Sequence, residues 1–168
     1  MKIAETMLPE FDHEMANTRK CLARIPDDKH DFKPHAKSFT MGALAVHIAT
    51  MVGWGMTTLQ SDNFDFAPVG GKPWTPPEVK TNAELLALFD QGVAGLRAAL
   101  VATDDSAMMK PWSLLSGGQS VFTMPRVAVL RGMIFNHLVH HRGQLSVYMR
   151  MCEIPVPALY GPSADEQS

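Results

Sequence analysis

The chain has 168 residues, 46% of them hydrophobic, which is enough for a sizeable core, and we expect one domain over residues 1–168. Its 15 basic and 17 acidic residues give a formal net charge of −2, without the basic excess that would track a phosphate backbone. The charge balance therefore argues against nucleic acid as a partner.

The two cysteines, the first residues and an uncharged stretch at residues 38–61 indicate where in the cell the protein resides. Cys21 and Cys152 form neither a metal-type pair nor a disulfide framework, which is typical of reduced cysteines in a cytoplasmic protein. The first residues carry early charges and helical periodicity, unlike a secretory signal. Residues 38–61 are uncharged over a membrane-spanning length, but their apolar positions are periodic and interrupted by His47 and several threonines. We expect a buried helix there and no membrane span.

The first half of the chain predicts two helices. The first ends before Pro26 and carries polar residues such as Glu14 between apolar positions at near-heptad spacing: Ile3, Met7, Phe11, Met15, Leu22 and Ile25. Residues 27–37 are a polar connection, and its His30 and His35 are given no role. Thr40 suits the N-cap of the second helix, whose apolar positions are Leu44, Ile48, Met51 and Leu59.

Residues 61–80 predict a long loop without regular structure, because prolines and glycines interrupt them repeatedly: Pro68, Gly70, Gly71, Pro73, Pro76 and Pro77. Loops of this length in a compact domain are often functional. Phe64, Phe66 and Trp74 are therefore candidates for the wall of a pocket. The alternative is that these rings only hold the loop against the core.

The second half predicts two further helices. Thr81 and Glu84 form a capping box before a third helix, and Gly117-Gly118 indicate a small hairpin. Thr123 and Pro125 are expected to begin the fourth helix. The proline-rich tail after Ile154 is expected to pack through Val156, Leu159 and Tyr160. The fold class is thus all-α, a four-helix bundle with long connecting loops and a packed C-terminal tail.

The fourth predicted helix carries three of the seven histidines. His137 and His141 lie one turn apart on its apolar stripe, about 6 Å along the axis, whereas His140 is rotated off that line by about 60°. His47 lies on the apolar face of the second helix. A catalytic zinc-type ion usually takes three protein ligands and leaves one position open. The pattern indicates a metal site of His47, His137 and His141; the alternative is three core histidines satisfied by hydrogen bonds.

The run Phe-Asn-His-Leu-Val-His-His-Arg-Gly-Gln-Leu at residues 135–145 resembles the DinB family of metalloenzymes, together with residues 40–49 upstream and 156–165 downstream. The resemblance covers nearly the whole chain in order. It implies a four-helix bundle, often dimeric, with a divalent ion held by His47, His137 and His141. His140 would then lie behind the ligands or at an interface.

The resemblance also implies an activity, because the wider superfamily includes enzymes that use low-molecular-weight thiols. A thiol-dependent S-transferase acting on a small molecule is the first hypothesis, with the ion lowering the pKa of the thiol. A metal-dependent hydrolase is the alternative, although no carboxylate accompanies His137 and His141 as in the His-Glu-x-x-His motif of zinc proteases. A non-enzymatic metal-binding or stress-response protein is the hypothesis from a different class, and solvent access to the ion separates it from an enzyme.

Three further expectations concern the ion, its surroundings and assembly. Zinc or nickel is expected, with iron or another divalent metal as alternatives, since imidazole suits them all. Gln144 and Tyr148 are candidates to donate to a bound ligand, or else are core or interface residues. We also expect a homodimer, from the resemblance and from three small or apolar residues that lie off the core stripe of the fourth helix: Gly132, Met133 and Val147. In the alternative interpretation, these residues cover the tail or a loop of the same chain.

Overall fold

The fold is mostly helical and carries a small sheet. The structure, a computed structural model, describes residues 2–167. Its elements in chain order are α1 (Ile3–Leu22), a 3-10 turn (Asp27–Lys29), α2 (Met41–Gln60), β1 (Asn63–Asp65), α3 (Asn82–Ala102), α4 (Asp105–Met108), β2 (Pro111–Ser116), β3 (Gln119–Pro125), α5 (Arg126–Val129), a π-helical segment (Leu130–Asn136) and α6 (His137–Met151). The last three follow one another directly along the chain.

The predicted starts of the second and third helices are confirmed. The Thr40 hydroxyl accepts a hydrogen bond from the Ala43 N–H at 3.1 Å, as an N-cap does. Thr81 and Glu84 form the capping box that begins α3. The Thr40 cap fixes the start of α2, the helix that carries His47.

The long helices share one hydrophobic core. Helices α1 and α2 each contact both α3 and α6. Nearly all predicted apolar positions are buried in this core, including Phe11, Leu44, Ile48, Phe89, Leu138 and Leu145. Helices α2 and α3 approach closely at Gly55, where an added Cβ would lie 2.6 Å from a Leu96 methyl group. A larger residue at this position would force the Leu96 side chain to move.

Helices α2 and α3 are both long and apolar enough to cross a membrane by length and composition alone. In α2, 56% of the apolar window is buried inside the protein. Its apolar residues therefore serve the core, as expected for residues 38–61.

The sheet has the order β1-β2-β3, with β1 parallel to β2 and β2 antiparallel to β3. The predicted hairpin is confirmed: Gly117 and Gly118 form its turn with φ of +61° and +76°, values that strongly favour glycine. The Asp65 carboxylate accepts the N–H groups of both glycines, at 3.1 and 2.6 Å. The long loop is thereby attached to the hairpin.

The sheet corrects three predictions. The fold is mostly helical, as predicted, but the all-α class omits the small sheet of three strands that pair beside the helices. Residues 61–80 are not wholly irregular: β1 is a strand only through its pairing with β2, and three residues are too short for an alternating pattern. Thr123 and Pro125 belong to β3 and do not begin the helix, which starts at Arg126. The Thr123 hydroxyl bonds Ser113 across the strands at 2.8 Å instead of capping a helix.

The C-terminal tail packs on the helices as predicted. Val156 and Leu159 lie against the core. The Arg150 guanidinium donates to the Asp165 carboxylate at 2.6 Å, and the Val156 N–H donates to the same carboxylate at 2.8 Å. Tyr160 is exposed, but its hydroxyl contacts Glu14 and Arg142 inside the protein.

Candidate metal centre

Helices α2 and α6 bring the three predicted histidines together. Ligand nitrogens of His47, His137 and His141 all lie within 4.8 Å of one another. The Nε2 atoms of His137 and His141 are 2.8 Å apart. The ring centroid of His47 lies 5.3 Å from that of His137 and 4.7 Å from that of His141. The predicted trio therefore forms one compact cluster.

In His137 and His141, the ring nitrogen that faces away from the cluster has an oxygen partner. His141 Nδ1 lies 2.7 Å from Gln144 Oε1, and His137 Nδ1 lies 3.3 Å from the Met133 carbonyl oxygen. Since both partners are acceptors, we assign the proton of each ring to Nδ1. Each Nε2 then carries a lone pair, and hydrogen bonds of this kind fix the orientation of ligating histidines.

A π-helical segment directly precedes the two ligands. Met133 belongs to it, so the carbonyl that pairs with His137 comes from this irregular turn. Turns of this kind are rare and occur frequently at functional sites. The apolar periodicity of residues 127–149 was compatible with an uninterrupted α-helix, so no signal in the sequence indicated the π turn.

Burial favours the neutral form of two histidines of the cluster, His47 and His141. Burial, reinforced by the neighbouring His141 and His137, lowers the pKa of His47 to about 4. Burial also lowers the pKa of His141, although its hydrogen bond with Gln144 opposes the shift. Metal ions bind only unprotonated imidazole, so these pKa values favour the ligand form.

The donor set fits a divalent transition ion. With both protons on Nδ1, the Nε2 lone pairs of His137 and His141 face each other at 2.8 Å. Two such acceptor atoms repel each other at this distance unless they share a cation. Three imidazoles without a carboxylate suit zinc, nickel or another first-row ion better than magnesium or calcium. The residues present are therefore compatible with the ion that the sequence indicated.

Two cavities adjoin the cluster. His47 itself lines one of about 500 Å³, together with Phe39 and Glu78. A second cavity, of about 260 Å³, is lined by Trp54, whose ring centroid lies 5.8 Å from that of His47. His47 thus faces space large enough for a small molecule, as a catalytic site requires and a closed structural site does not.

The other histidines lie outside the cluster. His140 is exposed, with its ring 4.9 Å from that of His141, and His13 and His35 make local hydrogen bonds within the first helix and the first connection. His30 was given no role, yet it lines the same cavity as His47, and its buried Nε2 has no hydrogen-bond partner among the described residues. His30 lies in an irregular turn, so no helical or strand periodicity in the sequence could have predicted its place in this cavity.

Gln144 and Tyr148 have different roles. Gln144 holds the His141 ring, which the sequence did not specify. Tyr148 donates its hydroxyl to the Phe39 carbonyl at 3.3 Å and packs edge-on against Phe32, so it fixes the first connection to α6.

Replacing Gln144 with alanine should weaken metal binding by about 10–100-fold, because the ring of His141 loses the acceptor that fixes its orientation and tautomer. His140→Ala is the matched control, since it removes a neighbouring polar side chain that lies outside the cluster, and it should leave affinity nearly unchanged. Competition titration with a chromophoric chelator measures both. Equal losses in the two variants would contradict the assigned role of Gln144.

The metal-free protein should lose stability as pH falls from about 6.5 to about 4. Over this pH interval His47 is protonated in the unfolded chain but not in the folded protein, so a fall in pH favours unfolding. His47→Gln removes this titration and should flatten the dependence. The midpoints of urea unfolding of wild type and His47→Gln, measured between pH 7.5 and 4.5, test this prediction. Parallel pH profiles of the two proteins would show that His47 does not cause the loss of stability.

A helical protein with three converging imidazoles beside a cavity belongs to the class of candidate metalloproteins built on helical scaffolds. The chain belongs to the DinB superfamily, because its residues 10–145 match the model of that family. This confirms the resemblance found in the sequence.

Individual relatives agree with this assignment. An uncharacterized Bacillus subtilis protein, YrdA, is 28% identical over 161 residues, which are 95% of this chain and 89% of the relative. A DinB-like protein from Bacillus cereus superposes with a TM-score of 0.71 at 21% identity, covering 95% of this chain and 98% of the other. The DinB-like protein YjoA from Bacillus subtilis gives 0.68 at 20% identity, covering 90% and 96%. At these identities the two structures show the shared fold.

Proposed function

We propose that His47, His137 and His141 hold one divalent ion, zinc or nickel first, and that the protein is a metal-dependent enzyme acting on a small molecule. The observation that carries this proposal is the convergence of three imidazoles at a cavity that His47 lines. When bound, the ion supplies a Lewis acid that lowers the pKa of a thiol or of water. The cavities favour this function over a purely structural or stress-response metal site.

Transfer of an external thiol is the activity we favour. Among the described residues, the cluster itself contains no carboxylate; a general base for a water molecule would have to be Asp31 or Glu78, which line the cavity of His47 without belonging to the cluster. The protein's own cysteines are poor nucleophiles, because burial raises the pKa of Cys21 to about 11 and also raises that of Cys152. A low-molecular-weight thiol would therefore enter as a co-substrate, and hydrolysis is the less supported alternative.

The residues around the cluster would then position the reactants. Gln144 and the Met133 carbonyl hold the imidazoles in place. Phe39 and Trp54 lie beside the His47 ring, at centroid distances of 5.9 and 5.8 Å, and cover part of it. Partial burial of the ring strengthens the electrostatic interactions on which activation of a thiol depends.

Thiol consumption tests this activity. Metal-loaded wild-type protein is incubated with an electrophile and either bacillithiol, mycothiol or glutathione, and the remaining free thiol is measured. We expect metal-dependent consumption with at least one thiol and none with His141→Ala. Equal rates for the two proteins, or release of hydrolysis products without thiol loss, would contradict S-transfer.

We also propose that the protein is a cytoplasmic homodimer and that α1, α2, α3 and α6 form a four-helix bundle. The ring of contacts among these helices supports the bundle. For the dimer, Gly132 in the π-helical segment and Val147 in α6 are both exposed, whereas Met133 lines the 260 Å³ cavity and is assigned to that cavity. Sedimentation at micromolar concentration should give twice the chain mass, and Val147→Glu should give the monomer. A monomeric wild type would end the dimer proposal.

A further inference from the structure

An apolar cavity adjoins the candidate metal centre, and we name it the aromatic pocket. Its volume is about 260 Å³, and no Asp, Glu, Lys, Arg or His side chain lines it. Six rings dominate its wall: Trp54, Phe64, Phe66, Trp74, Trp112 and Phe122. The pocket therefore offers flat apolar surfaces and no charge partner.

The rings come from separate parts of the chain and are fixed by hydrogen bonds. Phe64 lies in β1, paired with Leu114. The Phe66 N–H donates to the Leu115 carbonyl at 3.1 Å, and the Trp74 N–H donates to the Phe66 carbonyl at 2.8 Å. The proline-rich loop is thus attached to the sheet, and the prediction that its rings wall a pocket is confirmed. A wall held in this way is preformed for a ligand.

The aromatic pocket adjoins the histidine cluster through Trp54 on α2 and Met133 in the π-helical segment. Trp54 follows His47 by two turns on α2 and contacts its ring. Met133 lines the pocket, and its carbonyl pairs with His137 Nδ1. Trp74 lines both this pocket and the larger cavity that contains His47. A molecule seated among the rings would therefore have its other end beside the imidazoles.

The lining restricts what can bind. An apolar cavity of about 150 Å³ accommodates benzene, so about 260 Å³ suits a substituted ring or two fused rings. Aromatic walls favour flat apolar groups through stacked and edge-to-face contacts. A charged group would lose its hydration here without gaining an ionic partner.

We propose that the aromatic pocket binds the apolar, ring-bearing end of the substrate and leaves its reactive group at His47, His137 and His141. The substrate class is then a small aromatic or similarly flat apolar compound. Only the placement of the reactive group rests on the proposed function; binding of the ring does not require the ion.

Fluorobenzene is the probe that tests the pocket, followed by its fluorine NMR line and by tryptophan emission. All three tryptophans of the chain line the pocket, so the emission reports directly on its occupancy. We expect saturable binding to wild type and equal affinity in metal-free His141→Ala. Absence of saturable binding to wild type would overturn the inference, as would tighter binding of tetramethylammonium, which would indicate a cation site.

Two pocket variants and one control locate the binding. Thr57→Phe places a ring into the cavity and should abolish binding. Phe66→Ala removes a ring that is 38% exposed, and should weaken affinity about two- to tenfold without changing thermal unfolding. Val121→Phe, at a position 56% exposed and outside the lining, should change nothing. If Thr57→Phe fails to fold, Phe66→Ala decides: unchanged affinity there overturns the inference.

The results separate this inference from the proposed function. Ring binding in a protein that binds no stoichiometric metal would retain the pocket and refute the metal enzyme. Stoichiometric metal without ring binding would retain the metal site and refute the aromatic pocket.

Discussion

His141→Ala is expected to abolish stoichiometric metal binding. The Nε2 of His141 lies 2.8 Å from that of His137, and the His141 ring lies closer to His47 than the His137 ring does. Its removal leaves His47 and His137, whose rings are the more distant pair, as the two remaining donors. Loss of an orienting partner alone weakens metal affinity about 10–100-fold, and loss of a ligand should exceed that range. Elemental analysis of untagged protein after dialysis measures the effect, and His47→Ala should behave alike.

The control for this prediction is His35→Ala, which removes an exposed imidazole from the first connection. It should retain the wild-type metal content. If His47→Ala and His141→Ala both retained full metal content as well, the ion would have to bind elsewhere in the chain.

Arg142→Met is expected to lower the free energy of unfolding by about 3–5 kcal/mol, because it leaves a buried carboxylate unpaired. Arg142 is 1% exposed and Glu14 8%. The guanidinium donates to the Glu14 carboxylate at 2.6 Å and to the Thr18 hydroxyl at 3.1 Å, and the Tyr160 hydroxyl donates to the same carboxylate at 2.8 Å. This network joins α6 to α1 and to the tail, beside the candidate ligand His141.

Urea unfolding and thermal melting measure the loss, which should lower Tm by roughly 6–20 °C for a chain of this size. Arg19→Met is the matched control: its bidentate pair with Asp90 is half-exposed and should contribute less than about 1 kcal/mol. The double variant Glu14→Gln/Arg142→Met should recover part of the loss, since it removes the unpaired charge. Equal losses in Arg142→Met and Arg19→Met would contradict the structural role assigned to the buried network.

Features governed by local spacing were predictable from the sequence. The interval of four between His137 and His141 fixes their common face on any helix, and Thr40 and Thr81 cap helices through groups three residues away. The pairing of these histidines with His47 is different, because it depends on which helices meet. Their inward faces and the DinB resemblance together predicted it correctly.

Features that depend on distant partners were not predictable. Glu14 resembled a solvated position between apolar residues, but its partner Arg142 lies 128 residues away. Strand β1 exists through pairing with β2, about 50 residues further on. The π turn before His137 keeps the apolar spacing of an α-helix, and His30 reaches its cavity from an irregular connection. None of these has a periodic or local signature.

The central claim, that three histidines hold one ion, is tested most directly by metal analysis and melting on the same untagged samples. The account predicts one divalent ion per chain at pH 7.5. It also predicts a lower Tm after chelation and recovery when zinc or nickel is restored, because an ion that binds only the folded state stabilises it by mass action. Substoichiometric metal together with identical melting of chelated and metal-supplied protein would contradict the account and leave His47, His137 and His141 as ordinary core histidines.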